Sequence, residues 1–176
     1  MVDDVDVLVV AFTGDDGPGL VHALAEVISD HGGSWESSHM VSWHGVFAGT
    51  LVVTAEADRC EALAEDLRAL DGMLQIHVRA ATRTPVREGV RSIRLDVVGR
   101  DHPGIVEEFT AAIARPRVNV RCLDSRSTQM PGGGQELRVH AHLEVGGGTD
   151  LHAWFDGLHD LPRRLDVELT LTPAGE

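Results

Sequence analysis

The chain has no lysine, only two cysteines, and no apolar run approaching the length of a membrane-spanning helix. Each scarcity excludes something. The longest apolar stretches, such as Val7 to Phe12, fall far short of the ~20 residues needed to cross a bilayer, so no membrane role is expected. Cys60 and Cys122 are too few for a disulfide scaffold and too far apart in sequence for a metal-ligand pair, and two reduced thiols are the expectation. A basic leader is missing as well. The start is acidic (Asp3, Asp4, Asp6), which does not read as a secretory signal, and a cytoplasmic protein is expected. Every one of the 15 basic side chains is arginine, a bias read as one of coding, and 28 acids bring the net charge to −13. Residues 1–88 hold 5 arginines against 15 acids and residues 89–176 hold 10 against 13, so neither half is basic. Phosphate backbones repel such a chain, and direct binding of nucleic acid is not expected.

What is present is an ordinary globular composition, 43% apolar over 176 residues, enough for one domain or two small ones. Internal repetition decides between these. Gly14, Asp16, Pro18 and Gly19 recur as Gly99, Asp101, Pro103 and Gly104, all at one offset. Both quartets follow a β-branched run and precede an amphipathic stretch. Two copies of one unit are therefore expected: 1–83, a linker over 84–89 containing Pro85, and 90–176.

Within the first copy the spacing predicts a strand over Val5–Thr13, buried on both faces. A helix follows, with Pro18 in its first position and Asp16 as N-cap or near-cap, ending at His31-Gly32-Gly33. Strands Ser34–Ser42 and Val46–Thr54 are joined by a turn at His44-Gly45. A second helix over Asp58–Leu70 and a strand over Met73–Ala80 close the unit. The second copy repeats the order with Arg91–Val98, Gly104–Ala114, Val118–Thr128, Glu136–Val145, Asp150–Asp160 and Arg164–Thr172. Its inter-strand loop is longer and carries Pro131-Gly132-Gly133-Gly134. The fold class is α+β: two ferredoxin-like βαββαβ domains, each a four-stranded antiparallel sheet with two helices on one face.

A helix entered through Pro-Gly leaves its first N–H groups without helical partners. At Gly19–Leu20 and Gly104–Ile105 such donors would favour a carboxylate, and the missing Cβ lets a ligand approach the backbone. A plain turn-and-cap role for the same residues is the competing reading. The strand–turn–helix order and the motifs Gly14-Asp15-Asp16-Gly17-Pro18-Gly19-Leu20 and Gly99-Arg100-Asp101-His102-Pro103-Gly104-Ile105 resemble the ACT domain family, small modules that bind amino acids and regulate metabolism. The tandem arrangement, with Phe47-Ala48-Gly49 and the loop Met130–Leu137, is similar to the glycine cleavage system transcriptional repressor group. The motif departs from the family where an arginine is usual, with Gly17 in one copy and His102 in the other. The family has a Gly or Asn ahead of the second strand; here the first copy has Gly33-Ser34 and the second Val118-Asn119, with Asn119 the single asparagine.

The resemblance implies a regulatory protein that is not an enzyme. Its ligand would be a small amino acid of the glycine or serine class, with no cofactor and no metal. It would form a homodimer and act on a partner protein, in a setting such as transcriptional regulation of amino-acid metabolism. The implied ligand residues are Asp101, His102, Gly104, Ile105 and Asn119, with Asp16, Gly17, Gly19 and Leu20 in the first copy. The ligand carboxylate would meet the Gly104 and Ile105 N–H groups, and Asn119, donor and acceptor at once, would read the polar end. The alternative is a structural or dimerisation module whose ligand site has decayed.

The ten histidines form no helical H-x-x-x-H or H-E-x-x-H pattern, and there is no C-x-x-C, so zinc motifs are missing. His140 and His142 share one strand face. Acid pairs such as Glu107-Glu108 read as solvated helix faces, and neither cysteine has a base at a recognisable spacing. The outward strand faces of the copies differ. The first offers Val7, Val9, Ala11, Val46, Ala48, Thr50 and Val52, and the second offers Arg94, Asp96, Arg138, His140, His142 and Glu144. Sheets covered on one side leave the other to water, so the first face is expected to be buried, against its twin in a homodimer or against the other copy.

Overall fold

β-branched and aliphatic residues crowd the strand that opens each half, and each becomes an inner strand of its sheet. In the computed structural model, which describes residues 5–70, 72–81 and 89–173, the chain divides into two compact units, Met1–Pro85 and Val86–Glu176. The residues expected to link them fall almost wholly outside the described part. The first unit runs β1 (Val5–Asp15), α1 (Leu20–Asp30), β2 (Ser34–Trp43), β3 (Val46–Glu56), a 3₁₀ turn at Ala57–Arg59, α2 (Cys60–Arg68) and β4 (Gln75–Ala81). Its sheet has the order β2-β3-β1-β4, antiparallel throughout. The second runs β5 (Arg91–Arg100), α3 (Ile105–Ile113), β6 (Val118–Gln129), β7 (Gln135–Val145), α4 (Leu151–Leu158), α5 (Leu161–Leu165) and β8 (Val167–Pro173), in the order β6-β7-β5-β8. This is the expected βαββαβ order, made twice.

Each core lies between one sheet face and its helices. Leu8, Val10 and Phe12 of β1 and Leu51 and Val53 of β3 pack against Leu24 and Ile28 of α1 and Leu63 and Leu67 of α2. In the second unit Leu95, Val97, Ala141 and Leu143 meet Phe109, Ile113, Trp154 and Leu158. Truncating a fully buried leucine such as Leu24 to alanine costs about 2–5 kcal/mol, so the alternation of these strands is strongly enforced. Within a single chain β1 is buried on one face only, and Val7, Val9 and Ala11 on the other are half-exposed. The reason is that both helices of the unit pack on the same side, as an antiparallel sheet permits.

Other departures are local. Pro18 does not open α1, because Gly19 is its N-cap and the helix starts at Leu20. Between α4 and β8 the chain makes an additional short helix, α5, with Pro162 in its first turn, so β8 begins at Val167 rather than Arg164. A proline that ends one helix can begin another, since its missing N–H has no helical partner to lose there. The turn at His44-Gly45 has φ of 52° and 80°, the doubly left-handed geometry that tight hairpins need. The units also share a β-bulge, at Glu36 and at Arg121. Each bulge residue reaches the adjacent inner strand: Glu36 accepts a hydrogen bond from Thr54 at 2.7 Å, and Arg121 pairs with Glu144 at 3.2 Å.

Candidate functional site

The two repeated turns share the bonds that tie each to its hairpin. Past β1, the Asp16 N–H donates to the Gly45 carbonyl at 2.8 Å, and the Asp16 carboxylate accepts from Ser42 Oγ at 2.5 Å. Past β5, the Asp101 N–H donates to the Gln135 carbonyl at 2.8 Å, and Asp101 accepts from Ser127 Oγ at 2.5 Å. Gly19 and Gly104 take the same left-handed conformation, φ 91° and 93°, one residue before α1 and α3. Neither aspartate caps its helix, which corrects the sequence expectation. The carboxylate instead ties the turn to the end of the neighbouring hairpin, where a serine hydroxyl takes it up. Ser42 and Ser127 stand at the repeat offset and were therefore findable from sequence by extending the comparison of the copies.

As an anion cradle the second turn is partly occupied by the chain itself. The Ile105 N–H, one of the two expected donors, bonds the His102 carbonyl at 3.2 Å. Glu107 and Glu108 sit in the first turn of α3 and already complement its positive end, whereas the first turn of α1 has no acid. Leu20 and Ile105 point their side chains into the two cores, leaving only backbone for a ligand. Gly17 is open: an added Cβ there would meet nothing within 4 Å.

Asn119 lies elsewhere. It stands on β6 opposite Glu144, while Asp101 bonds the hairpin end at Gln135. The two places are separated by the stretch of β7 from Glu136 to Glu144, about 26 Å at ~3.3 Å per residue. No single amino acid spans that distance, so one unit does not bring Asn119 to the Gly104 N–H. The reason is the crossover itself: α3 carries the chain back along the sheet before β6 begins.

Around Asn119 the structure assembles residues that sequence reasoning passed over. A concavity of about 570 Å³ is lined by Arg117, Asn119, Glu144 and the backbone of Gly146 and Gly147, with Val90 and Val118 beside them. Arg117 has φ 70°, a conformation that costs most side chains about 1–2 kcal/mol. Its repeat counterpart is Gly32, φ 66°. The guanidinium donates to the Gly147 carbonyl at 2.9 Å, and the Arg117 carbonyl accepts from the Gly146 N–H at 2.8 Å, so the arginine is anchored at both ends. Glu144, held by Arg121 from the bulge, supplies the opposite charge. The signal in the sequence was an arginine at a glycine position of the repeat.

The cysteines take no part. Burial, then the charges of Asp6 and Asp58, push the Cys60 thiol up. Burial, then the charge of Asp124 and its hydrogen bond with the thiol, raise Cys122. Both are thereby kept protonated at neutral pH, the opposite of an activated nucleophile. Among the described residues no group of three or more His, Cys, Asp or Glu side chains is arranged to hold a metal ion.

Comparison with known proteins matches the first unit to a family and the whole chain to known folds. A family model described as the ACT domain matches residues 6–81. No curated protein matches the chain in sequence. Among solved structures, an unknown protein from Galdieria sulphuraria is 24% identical over 97% of this chain and 99% of its own, with a TM-score of 0.85. A protein provisionally assigned as a glycine cleavage system transcriptional repressor is 16% identical over 98% of this chain and 99% of its own, with a TM-score of 0.67. At these identities the likeness is one of fold.

Proposed function

Since the N-terminal unit is an ACT domain and the second unit repeats its fold, we propose that the chain is a homodimeric regulatory protein that binds a free amino acid and passes the signal to a partner protein. The observation that carries the ligand reading is the concavity around Asn119. An α-amino acid is a zwitterion with its charges flanking one carbon. Arg117 offers a forked donor for the carboxylate, Glu144 an acceptor for the ammonium, and Asn119 an amide able to bond either. The repeated turns are, on this reading, fasteners between strand, helix and hairpin and not the ligand contact within a unit. The glycine or serine class implied by the resemblance makes those two the first ligands to try. The net charge of −13 supports an indirect route to any transcriptional effect, through a protein rather than through DNA.

Titration calorimetry against the twenty amino acids tests this. The expected result is saturable binding of one or a few small amino acids with a Kd between ~1 µM and ~1 mM, lost in Asn119→Ala and Arg117→Gln and kept in His102→Ala. Binding that survives both of the first two variants but fails in His102→Ala would return the site to the turn. No binding at all would favour a structural module.

A further inference from the structure

We propose that the open face of the N-terminal sheet is the surface on which a second copy of this chain docks, N-terminal face to N-terminal face. This rests on the homodimeric reading above and locates it. The molecule carries its own control. The two sheets have the same order and register, so the outward faces of their inner strands can be compared position by position. Where the second unit presents Arg94, Asp96 and Arg138, with His140 and His142 along the same strand, the first presents Val9, Ala11 and Ala48, with Thr50 and Val52. The second face is what a water-facing sheet of this protein looks like: His140 bonds Asp96 at 2.5 Å and Arg138 pairs with Glu136. The middle of the first face has had its charges removed. What charge and imidazole remain stand on the edge strands, Arg79 and His77 on β4 and His39 and the bulge residue Glu36 on β2, the last bonded to Thr54, or at the strand ends, Asp15 and Glu56. An apolar centre with a polar rim is the anatomy of an interface.

The apolar field continues into a corner that is exposed in a single chain. Trp43 is 60%, Val46 45% and Val41 36% exposed, all on the outward side of the β2–β3 hairpin. Beside them Met73, 47% exposed, rims a concavity of about 390 Å³ that Val46 also lines. A tryptophan left more than half open at the border of an apolar sheet is an anchor of the kind that interfaces favour.

The occupant follows from chemistry and size. The C-terminal sheet's outward face cannot cover this field without stripping water from the charges at its own centre. The N-terminal face of a second copy keeps its charges at the rim, and a two-fold axis makes the surface its own complement. Four strands about 4.8 Å apart and some 25 Å of strand length give about 500 Å² of plan area, or roughly 600–700 Å² of accessible surface after side-chain relief. Two such faces remove about 1,200–1,400 Å² from water, within the range of specific stable interfaces.

Sedimentation equilibrium of the full chain decides it, with variants that import the second unit's own residues. Ala48→Arg and Val9→Arg place arginine where the same fold already holds Arg138 and Arg94, so folding is expected to survive. The wild type should sediment at twice the 19.0 kDa chain mass, both variants should raise the dimer Kd at least 100-fold, and Thr170→Asp on the other sheet should leave it unchanged. A wild type that stays monomeric at ~100 µM overturns the homodimer itself, and with it this surface; the field is then covered by another part of the chain or by a different protein. A dimer indifferent to both arginines overturns the location alone. Should the arginine variants misfold, acrylamide quenching of Trp43 in the wild type, taken as the difference from Trp43→Phe, settles the location. It should rise as dilution separates the dimer, and quenching independent of concentration refutes the proposal.

Discussion

The glycines of the repeated turn separate packing from ligand contact, and their alanine variants have a predictable order. Gly14 and Gly99 open the motif near the ends of β1 and β5. A Cβ at Gly99 would lie 2.5 Å from Val167 Cγ1, 2.6 Å from the Asp166 carbonyl oxygen and 2.8 Å from Val167 Cα. At Gly14 it would press closer still on the Met73 carbonyl oxygen. These neighbours are largely backbone, so the start of β8 or β4 has to retreat by about 1 Å, and the pairing of Gly99 with Val167 is strained. Overpacking of this kind costs about 2–3 kcal/mol. Gly19 and Gly104 face open space but sit at φ above 90°, where alanine costs about 1–2 kcal/mol. Gly17 has neither constraint, and alanine there should be neutral or stabilising by up to ~1 kcal/mol through the unfolded chain. Urea unfolding followed by fluorescence resolves the second unit if Trp35 and Trp43 are first changed to phenylalanine, because the remaining Trp154 is buried in that unit's core. Gly99→Ala should lower that transition by about 2–3 kcal/mol, on the order of 10–20 °C in Tm for a domain of this size. A change below ~0.5 kcal/mol would refute the packing account. So would a Gly17→Ala variant less stable than Gly14→Ala when the first unit is read instead, with Trp35 and Trp43 kept and Trp154 changed to phenylalanine.

Arg117→Gly restores the residue that the first unit uses at the same backbone conformation, so stability should hold or rise by up to ~1 kcal/mol while amino-acid binding disappears; a loss of more than ~1 kcal/mol in thermal melts would show that the arginine is structural. The buried Cys60 thiol has its pKa raised in the fold, chiefly by burial, so the unfolded chain ionises first as pH rises. The stability this confers is complete below the ordinary thiol pKa and declines through the alkaline range above it, whereas acidification leaves it intact. Between pH 7 and pH 10 the urea midpoint of the wild type should therefore fall more steeply than that of Cys60→Ala, and parallel curves would refute the assignment.

Much of the fold was legible because the sequence states it twice. An ambiguous apolar run such as Val5–Thr13 is hard to place alone, yet its counterpart at Arg91–Val98 alternates plainly and marks which positions face inward. The one-sided burial of β1 was hidden for a related reason: a continuous run of valines reads as a strand covered on both sides, and only the charged twin reveals how unusual an apolar open face is. Local departures arise where one residue has two uses. Asp16 before Pro-Gly reads as a helix cap, but the cap geometry falls to Gly19 and the carboxylate goes to Ser42. Pro162 reads as a stop, but starts α5.

Asn119 and Gly104 part company for a reason of topology. Joining them in one site within a single unit treats nearness in sequence as nearness in space, although a βαβ crossover implies the opposite, since its helix returns the chain to the far end of the sheet. What marks the Asn119 end is Arg117, and its significance needs a backbone angle. A glycine at φ 66° in one unit and an arginine at φ 70° in the other means that the second unit keeps a costly conformation which the first satisfies with the residue suited to it. Arg117 is exposed, and its guanidinium rests on the backbone of the Gly146–Gly148 loop at the rim of a concavity. A charge set on a strained backbone, beside an acid and an amide that line the same open hollow, is the set of groups on which the proposed amino-acid site draws, since a zwitterion carries both signs.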